Sequence, residues 1–323
     1  MTPKSGYRFS EKIMRHKKTY AMMKGRTLFA VLAVLIAAPA AGQDAQPRRL
    51  AVATTSILAD LVRNVGGDRI EVKTLVGANA DAHVYSPTPG DAKQVAAATV
   101  VFVNGLGLEG WLPRLVGASG SKAPVVTVTK GVPPRRMPDE AHPGRSVIDP
   151  HAWQSIADAK IYVANIRDGL AAADPAGKDA YEANARAYLA QLDAVENEVR
   201  TAIAAIPAER RKIITTHDAF GYFGAAYGIS FIAPEGVSTE SEASAKDVAR
   251  IIRQIRKQKI PAVFLENITD PRLIAQIARE TGAAIGGKLY SDALSEPSGP
   301  AATYIDMMRH NARELAKALG RRA

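Results

Sequence analysis

Short apolar runs rich in β-branched residues alternate with stretches of helical periodicity, and this alternation fills both halves of the chain. In the first half it predicts strands over 50–55, 70–75, 100–104 and 125–129, with helices over 57–65 and 89–98. In the second half it predicts strands over 212–216, 229–233, 262–266 and 284–290, with helices over 244–258 and 270–282. Apolar strands that alternate with helices are typical of parallel sheets covered on both faces. We therefore predict an α/β fold of two lobes, each with a mainly parallel sheet flanked by helices.

One long amphipathic segment separates the two halves. Apolar residues recur there every three or four positions, at Tyr181, Ala185, Tyr188, Leu192, Val195, Val199, Ile203 and Ile206. This spacing predicts a single helix over about 177–206, which we interpret as the rigid connector of the lobes, the alternative being an ordinary helix of one domain. The predicted organisation is a leader with signal peptide (1–42), an N-terminal lobe (43–175), the connecting helix (176–208) and a C-terminal lobe (209–323).

The first 42 residues have the pattern of an export signal. A basic start at 23–26 precedes an apolar stretch over 27–41 and a small-residue exit at 38–42, which is too short for a membrane span. The chain has no cysteine, so neither a disulfide framework nor a lipidated N-terminal Cys is expected. The sequence thus predicts a periplasmic protein that is released by signal cleavage and has no lipid anchor.

The positive charge of the chain is concentrated in the leader. Residues 1–42 hold eight Lys or Arg and one Glu, a net +7 of the formal +10, which leaves +3 for residues 43–323. Nucleic acid and anionic membranes attract a concentrated basic face, so neither is an expected partner. The remaining basic clusters, at 210–212 and 253–259, are interpreted as solvated helix ends and faces.

Three histidines and one aspartate stand in turn-like segments just after short apolar runs. His83, His151, His217 and Asp292 occur in D-A-H-V-Y, D-P-H-A-W, T-T-H-D-A and Y-S-D-A-L. Ligands of parallel α/β sheets bind beyond the carboxyl ends of the strands. Three imidazoles and a carboxylate suit zinc and neighbouring transition metals. The sequence predicts that these four residues hold one metal ion between the lobes.

The same segments carry a family resemblance. They read H-V-Y-S-P-T-P from His83, V-I-D-P-H-A-W from Val147, T-T-H-D-A-F-G-Y-F from Thr215 and L-Y-S-D-A-L-S from Leu289, with A-P-E-G-V-S-T-E-S-E-A-S between the last two. From Ala51 to Tyr304 the chain resembles the zinc/manganese solute-binding receptors of bacterial ABC importers. The resemblance implies two α/β lobes joined by a long helix, a buried metal ion, and delivery of that ion to a membrane permease. It also matches His83, His151, His217 and Asp292 to the ligand positions of the family.

Zinc is the predicted ion, and manganese is the alternative. Three imidazoles favour zinc, which also lies above manganese in the Irving–Williams order. Many manganese members of the family have a carboxylate where His217 stands, which favours zinc again. Many zinc members carry a His-rich loop, whereas the Pro-rich segment 131–147, interpreted as a surface loop, offers only His142. Coordination by both oxygens of Asp292 would weaken the preference for zinc.

An enzyme with three His ligands and one Asp is the rival reading. No HExxH pair or general base stands beside the four residues in the sequence, so we predict a receptor without catalytic activity. The expected partner is an ABC permease, a periplasmic metal chaperone is a second candidate, and a monomer is expected. Asp149 is a candidate acceptor for a ligand imidazole. Glu266, at the end of an apolar strand, is expected to approach the metal region or to cap backbone, without ligating the ion.

Overall fold

The first half of the chain forms a parallel sheet with helices packed on it. In the computed structural model, which describes residues 48–138, 144–240 and 243–320, this sheet has the order β2-β1-β3-β4. Its strands are β1 (Arg49–Thr55), β2 (Ile70–Val76), β3 (Val100–Val103) and β4 (Val125–Thr127). The helices along it are α1 (Ser56–Gly66), α2 (Pro89–Ala97) and α3 (Leu112–Ser119). All four residues of β3 are buried, as expected for a strand covered on both faces.

A short antiparallel ribbon leads from this sheet to His151. It consists of β5 (Arg136–Pro138) and β6 (Ser146–Ile148), paired with Arg136 opposite Ile148. The segment 131–147 was interpreted as a surface loop, and this part of it is instead a two-stranded ribbon. His142 lies outside the described residues, as do the leader and the signal peptide.

Two long helices follow the ribbon. They are α4 (Ile156–Ala173), which follows a 3₁₀ turn at Ala152–Gln154, and α5 (Lys178–Ala204). The predicted periodic residues of α5 are buried, from Tyr181 to Ile203, and Ile206 just beyond the helix is buried too. This helix packs against α1 and α4 and, on the C-terminal side of the chain, against the last helix, α9 (Tyr304–Leu319). The long helix of the predicted fold is therefore present, while the lobe boundaries at 43–175, 176–208 and 209–323 remain predictions.

The second half repeats the topology of the first. Its strands are β7 (Lys212–Ile214), β8 (Ser230–Ile232), β9 (Ala262–Glu266) and β10 (Ala284–Leu289), in the order β10-β9-β7-β8 and all parallel. The helices are α6 (Gly221–Tyr227), α7 (Ala245–Gln258) and α8 (Pro271–Thr281). Each sheet thus places its first strand between its second and its third. The carboxyl ends of β7 and β9 are neighbours for this reason.

Helix starts follow the capping signals of the sequence. The side chain of Ser244 accepts a hydrogen bond from the backbone of Asp247 at the start of α7, and Asp270 caps α8 ahead of Pro271. The inner faces of α7 and α8 pack a separate apolar cluster that includes Ile251, Ile274 and Val263 of β9.

The start of α9 is bonded to the first half of the chain. The Asp60 carboxylate of α1 accepts a hydrogen bond from the Tyr304 backbone N–H at 2.9 Å. The Tyr304 hydroxyl donates to the backbone oxygen of Trp153 at 2.6 Å. Within the described ranges, no helix is both long enough and apolar enough to span a bilayer.

Candidate metal centre

His83 lies in the loop between β2 and α2. Its backbone N–H donates to Asp81 Oδ1 at 2.8 Å, and the Trp111 indole donates to the backbone oxygen of Ala82 at 2.9 Å. Downstream, Thr88 and Asp91 form a reciprocal capping box that fixes the start of α2. The loop is therefore held on both sides of the imidazole, which is 9% exposed.

His151 follows the β5–β6 ribbon and is fully buried. Asp149 Oδ1 accepts from the His151 backbone N–H at 3.0 Å and lies 2.8 Å from the ring Nδ1. The second oxygen of Asp149 lies 3.6 Å from Arg135 Nε. Asp149 thus lies within hydrogen-bond distance of the His151 ring, as expected of a candidate acceptor, and Arg135 is a neighbour that the sequence did not indicate.

His217 follows β7 and is also fully buried. Glu266 at the end of β9 accepts backbone hydrogen bonds through Oε1, from Thr216 at 2.6 Å and from His217 at 2.9 Å. Its Oε2 lies 2.6 Å from His217 Nδ1. Glu266 thus joins the ends of two neighbouring strands and contacts the ring directly. Approach to the other candidate ligands and capping of backbone were expected as alternatives for Glu266, and the residue does both.

Asp292 lies just beyond β10 in a segment held from several sides. The Trp153 indole and the Gln154 amide donate to the Ser291 backbone oxygen at 2.9 and 2.7 Å. The Ser291 N–H donates to Asn267 Oδ1 at 3.2 Å. These bonds fix the backbone next to a carboxylate that is 1% exposed.

The four side chains meet at one point. One ligand atom of each lies within 4.8 Å of those of the others. The Nε2 atoms of His83 and His151 are 3.2 Å apart, and Asp292 Oδ2 lies 3.4 Å from His83 Nε2 and 3.1 Å from His217 Nε2. Asp292 Oδ1 lies 3.4 Å from His151 Nε2. The sequence-predicted set is therefore brought together completely.

These separations have the size expected between two ligands of one small ion. Tetrahedral bonds of about 2.0–2.1 Å put neighbouring ligand atoms about 3.3–3.4 Å apart. Octahedral bonds of about 2.2 Å put them about 3.1 Å apart. Among the described residues, neither oxygen of Asp292 nor Nε2 of His217 has a well-angled hydrogen bond. Because buried polar atoms normally have partners, atoms aimed at a common point indicate a cation there.

The charges of the site act strongly on each other. Burial opposes the charged form of His151, but the Asp292 and Asp149 carboxylates outweigh it and raise the pKa of His151 to about 9. Burial likewise opposes protonation of His217, and Glu266 and Asp292 raise its pKa well above the ordinary value. Burial would raise the pKa of Asp292, but the two imidazoles hold it well below its usual range. Without a cation the imidazoles of His151 and His217 thus tend to hold protons, and a metal ion has to displace them.

A contact between two loops lies beside the site. The Thr239 hydroxyl donates to Asp81 Oδ2 at 2.6 Å, and the other oxygen of this carboxylate accepts from His83. Glu235 N–H donates to the Thr216 backbone oxygen, and Asp218 N–H donates to Gly236. The loop 234–240 therefore connects the His217 turn with the His83 turn. No periodic pattern in the sequence indicated this role.

Comparison with known proteins matches this chain to metal-uptake and metal-binding proteins. The family described as ZnuA, "Zinc-uptake complex component A periplasmic", matches residues 51–318. The manganese-binding lipoprotein MntA of Halalkalibacterium halodurans is 36% identical over 260 residues, which cover 80% of this chain and 85% of the relative. The iron-binding protein YfeA of Yersinia pestis is 35% identical, with 83% of this chain and 86% of the relative covered.

Solved structures have the same fold. The periplasmic zinc-binding protein TroA of Treponema pallidum matches with a TM-score of 0.79 at 32% identity, over 85% of this chain and 100% of that one. The manganese-bound periplasmic metal-binding protein of Candidatus Liberibacter asiaticus matches with a TM-score of 0.76 at 31% identity, over 84% and 100%. The predicted fold of two helix-flanked parallel sheets is thereby confirmed.

The comparisons contradict one prediction. The absence of cysteine led us to expect a periplasmic protein without a lipid anchor, whereas relatives such as MntA of H. halodurans and PsaA of Streptococcus pneumoniae are named lipoproteins. The prediction of an unanchored protein is therefore wrong.

Proposed function

This chain belongs to the ZnuA family of metal-uptake components, and on that basis we propose that it binds Zn²⁺ and delivers it to the membrane permease of an ABC importer. The family is one of solute-binding receptors, so the role is capture and transfer of an ion rather than catalysis. The metal ion is the cargo. His83, His151, His217 and Asp292 are the proposed ligands.

The convergence of four buried side chains carries the proposal. Three Nε2 atoms and a carboxylate approach one point, with 3.1–3.4 Å between the atoms nearest each other. The site draws its residues from both halves of the chain, which supports an ion held in the predicted cleft between the lobes. Buried ligands of mixed nitrogen and oxygen character suit a first-row divalent ion.

The nitrogen content of the site supports zinc as the ion. Imidazole nitrogen binds zinc more strongly than manganese at comparable sites. A family description of zinc uptake and a structural neighbour described as zinc-binding agree with this choice.

Manganese is a second candidate because of the way Asp292 is oriented. Its Oδ1 faces His151, while its Oδ2 faces His83 and His217. Both oxygens are thus available to one ion, giving three nitrogens and two oxygens. A shell of five or more ligands suits manganese better than the four-coordinate shell typical of structural zinc. Relatives named for manganese and for iron agree with this alternative.

Metal titration of the chelated protein tests the proposed site. We expect one tightly bound ion per chain by elemental analysis, and competition between Zn²⁺ and Mn²⁺ decides which ion is preferred. The double variant His151→Ala/Asp292→Ala should lose the tight site. The control His310→Ala should keep it, because His310 contacts the Lys288 backbone oxygen and is not among the converging residues. A wild-type protein with no tight site would refute the proposal.

Delivery and assembly state need separate measurements. Addition of the metal-loaded protein to vesicles that contain its permease should stimulate ATP hydrolysis, whereas the double variant should not. We also propose that the receptor acts as a monomer, which light scattering during gel filtration would check. Transfer of metal from a candidate chaperone to the chelated protein, faster than from free buffer, would identify that second partner.

A further inference from the structure

Glu266 is a fully buried carboxylate with three polar contacts at the carboxyl end of the second sheet. Its exposure is 3%. One oxygen accepts from the backbone N–H groups of Thr216 and His217, and the other lies 2.6 Å from His217 Nδ1. The backbone bonds fix the carboxylate, and the carboxylate in turn fixes the imidazole. The position of the ring is thus set from β9, a strand that carries none of the four converging side chains.

The contact determines which nitrogen of His217 faces the ion. A carboxylate oxygen can only accept, so its nearness favours the tautomer of the neutral ring with the proton on Nδ1 and the lone pair on Nε2. It is Nε2 that lies 3.1 Å from Asp292 Oδ2 and points to the common centre. A negative partner also makes the coordinating nitrogen a stronger donor.

The buried carboxylates around the four proposed ligands outnumber the cations that contact them. Asp149, Glu266 and Asp292 are three carboxylates with 0–3% exposure. Arg135, 3.6 Å from Asp149, is the one Lys or Arg of the described residues within ion-pair distance of any of them, and its side chain is 37% exposed. Because unbalanced negative charge is costly in a buried site, this surplus of carboxylates favours a cation at the common point.

The two carboxylate–imidazole pairs, Asp149–His151 and Glu266–His217, differ in the group that balances the negative charge of the carboxylate. Asp149 shares its charge with Arg135, so the pair at His151 is partly compensated. Glu266 has no such counter-charge among the described residues. Its negative charge is therefore balanced only through His217 and the bound ion.

We propose that Glu266 is a positioning residue that holds His217 with Nε2 towards the metal and adds to the buried negative charge that the cation offsets. This inference rests on the proposed function and adds to it a group that acts through a ligand. It assigns to one carboxylate the orientation of a ligand and a share of the negative charge around the cargo.

Glu266→Gln removes the charge while keeping the size of the side chain. We expect affinity for Zn²⁺ and for Mn²⁺ to fall together by about 10–100-fold. The visible spectrum of the Co²⁺-loaded variant should shift as well, since the orientation of one nitrogen ligand changes. A purely structural role would leave that spectrum unchanged in the folded variant.

Glu109→Gln is a matched control. Glu109 is also a buried carboxylate that accepts two backbone N–H groups after a strand, those of Asn104 and Gly105, and it receives the Thr54 hydroxyl instead of an imidazole. We expect its substitution to affect unfolding but neither the metal affinity nor the Co²⁺ spectrum.

Each outcome has a distinct meaning. Unchanged affinity and an unchanged Co²⁺ spectrum in Glu266→Gln would overturn the inference while leaving the metal site intact. Failure of the wild-type protein to bind Zn²⁺, Mn²⁺ or Co²⁺ would instead overturn the proposed function. If Glu266→Gln does not fold, ¹⁵N shifts of the His217 ring in the Zn²⁺-loaded wild-type protein decide. Protonated Nδ1 with metal-bound Nε2 supports the inference, and the reverse assignment overturns it.

Discussion

The Thr239 hydroxyl donates a 2.6 Å hydrogen bond to Asp81, whose other oxygen accepts from the backbone of the proposed ligand His83. The two residues are 158 positions apart in the chain. Their contact links the turn that holds His83 to the loop bonded to the His217 turn. Separation of these turns requires this bond to break, so the contact opposes their separation beside the proposed metal site.

Removal of the hydrogen bond between Thr239 and Asp81 should speed the release of metal. Thr239→Val keeps the shape of the side chain and deletes the donor, and a hydrogen bond of this kind contributes about 0.5–1.5 kcal/mol. We expect Zn²⁺ to dissociate roughly 2–10-fold faster, measured by stopped-flow transfer to a chromogenic chelator. Thr201→Val is the control, because that hydroxyl bonds the Asn197 backbone oxygen on the exposed side of α5. Equal rates of Zn²⁺ dissociation in Thr239→Val and wild type would show that this hydrogen bond does not slow the release of metal.

Gly221→Ala should disturb His151 indirectly, by displacing the Asp149 carboxylate that contacts its ring. A Cβ at Gly221 would lie 2.5 Å from Asp149 Oδ2 and 3.1 Å from Arg135, so the carboxylate that orients the ring has to move. We expect a loss of about 1–3 kcal/mol in unfolding free energy, together with weaker metal binding. Gly117→Ala in α3 meets nothing within 4 Å and should be neutral or slightly stabilising. Calorimetry and metal titration of both variants test this prediction. A metal affinity equal to that of the wild type in Gly221→Ala would contradict it.

Asp60 should make the stability of the chelated protein fall as pH rises from about 4 to 6. Burial raises the pKa of Asp60 from its ordinary value near 3.8 to about 6, against the hydrogen bond from Tyr304. The folded state therefore binds a proton more tightly than the unfolded state. This contribution is fully present below about pH 4 and is lost as pH rises through about 6, with a total of about 2–3 kcal/mol.

Asp60→Asn isolates the contribution of Asp60 ionisation to stability, because the amide is neutral and its oxygen can still accept from the Tyr304 backbone N–H. The free energy of urea unfolding of wild type minus that of the variant should decline across the window, and the variant should be the more stable protein at pH 7. A difference that does not change between pH 4 and 7 would rule out this assignment.

Metal removal should destabilise the wild-type protein and leave a ligand variant unaffected. An ion bound only by the folded chain stabilises it by about 2.7 kcal/mol at a free concentration one hundred times Kd. We expect chelation to lower the melting temperature of the wild type and to leave that of Asp292→Asn unchanged. Differential scanning calorimetry at fixed free Zn²⁺ is the measurement. A Zn²⁺-dependent shift of equal size in both proteins would show that the ion binds elsewhere.

The sequence predicted the four converging residues because each stands in a turn-like segment after a short apolar run. For His83, His217 and Asp292, which follow β2, β7 and β10, such positions come together at the carboxyl ends of parallel sheets. Asp149 was found for a similar reason, since it stands two residues before His151 and its contact is local.

The contacts of Glu266 and Thr239 could not be predicted in the same way. Glu266 reaches His217 only because β9 lies directly beside β7, and no local pattern in the sequence predicts this strand order. Thr239 lies in a loop with no periodicity. The β5–β6 ribbon was missed because prolines at 133, 134 and 138 read as a loop, although Pro138 is tolerated at the edge of a two-stranded ribbon.

The last of the four converging groups comes very late in the chain. His83 and His151 are 68 positions apart, and Asp292 is made only after β10 has been completed. A chain shortened before β10 can offer imidazoles but not the carboxylate that faces all three of them. The proposed metal site is therefore complete only in molecules whose second sheet has formed to its last strand.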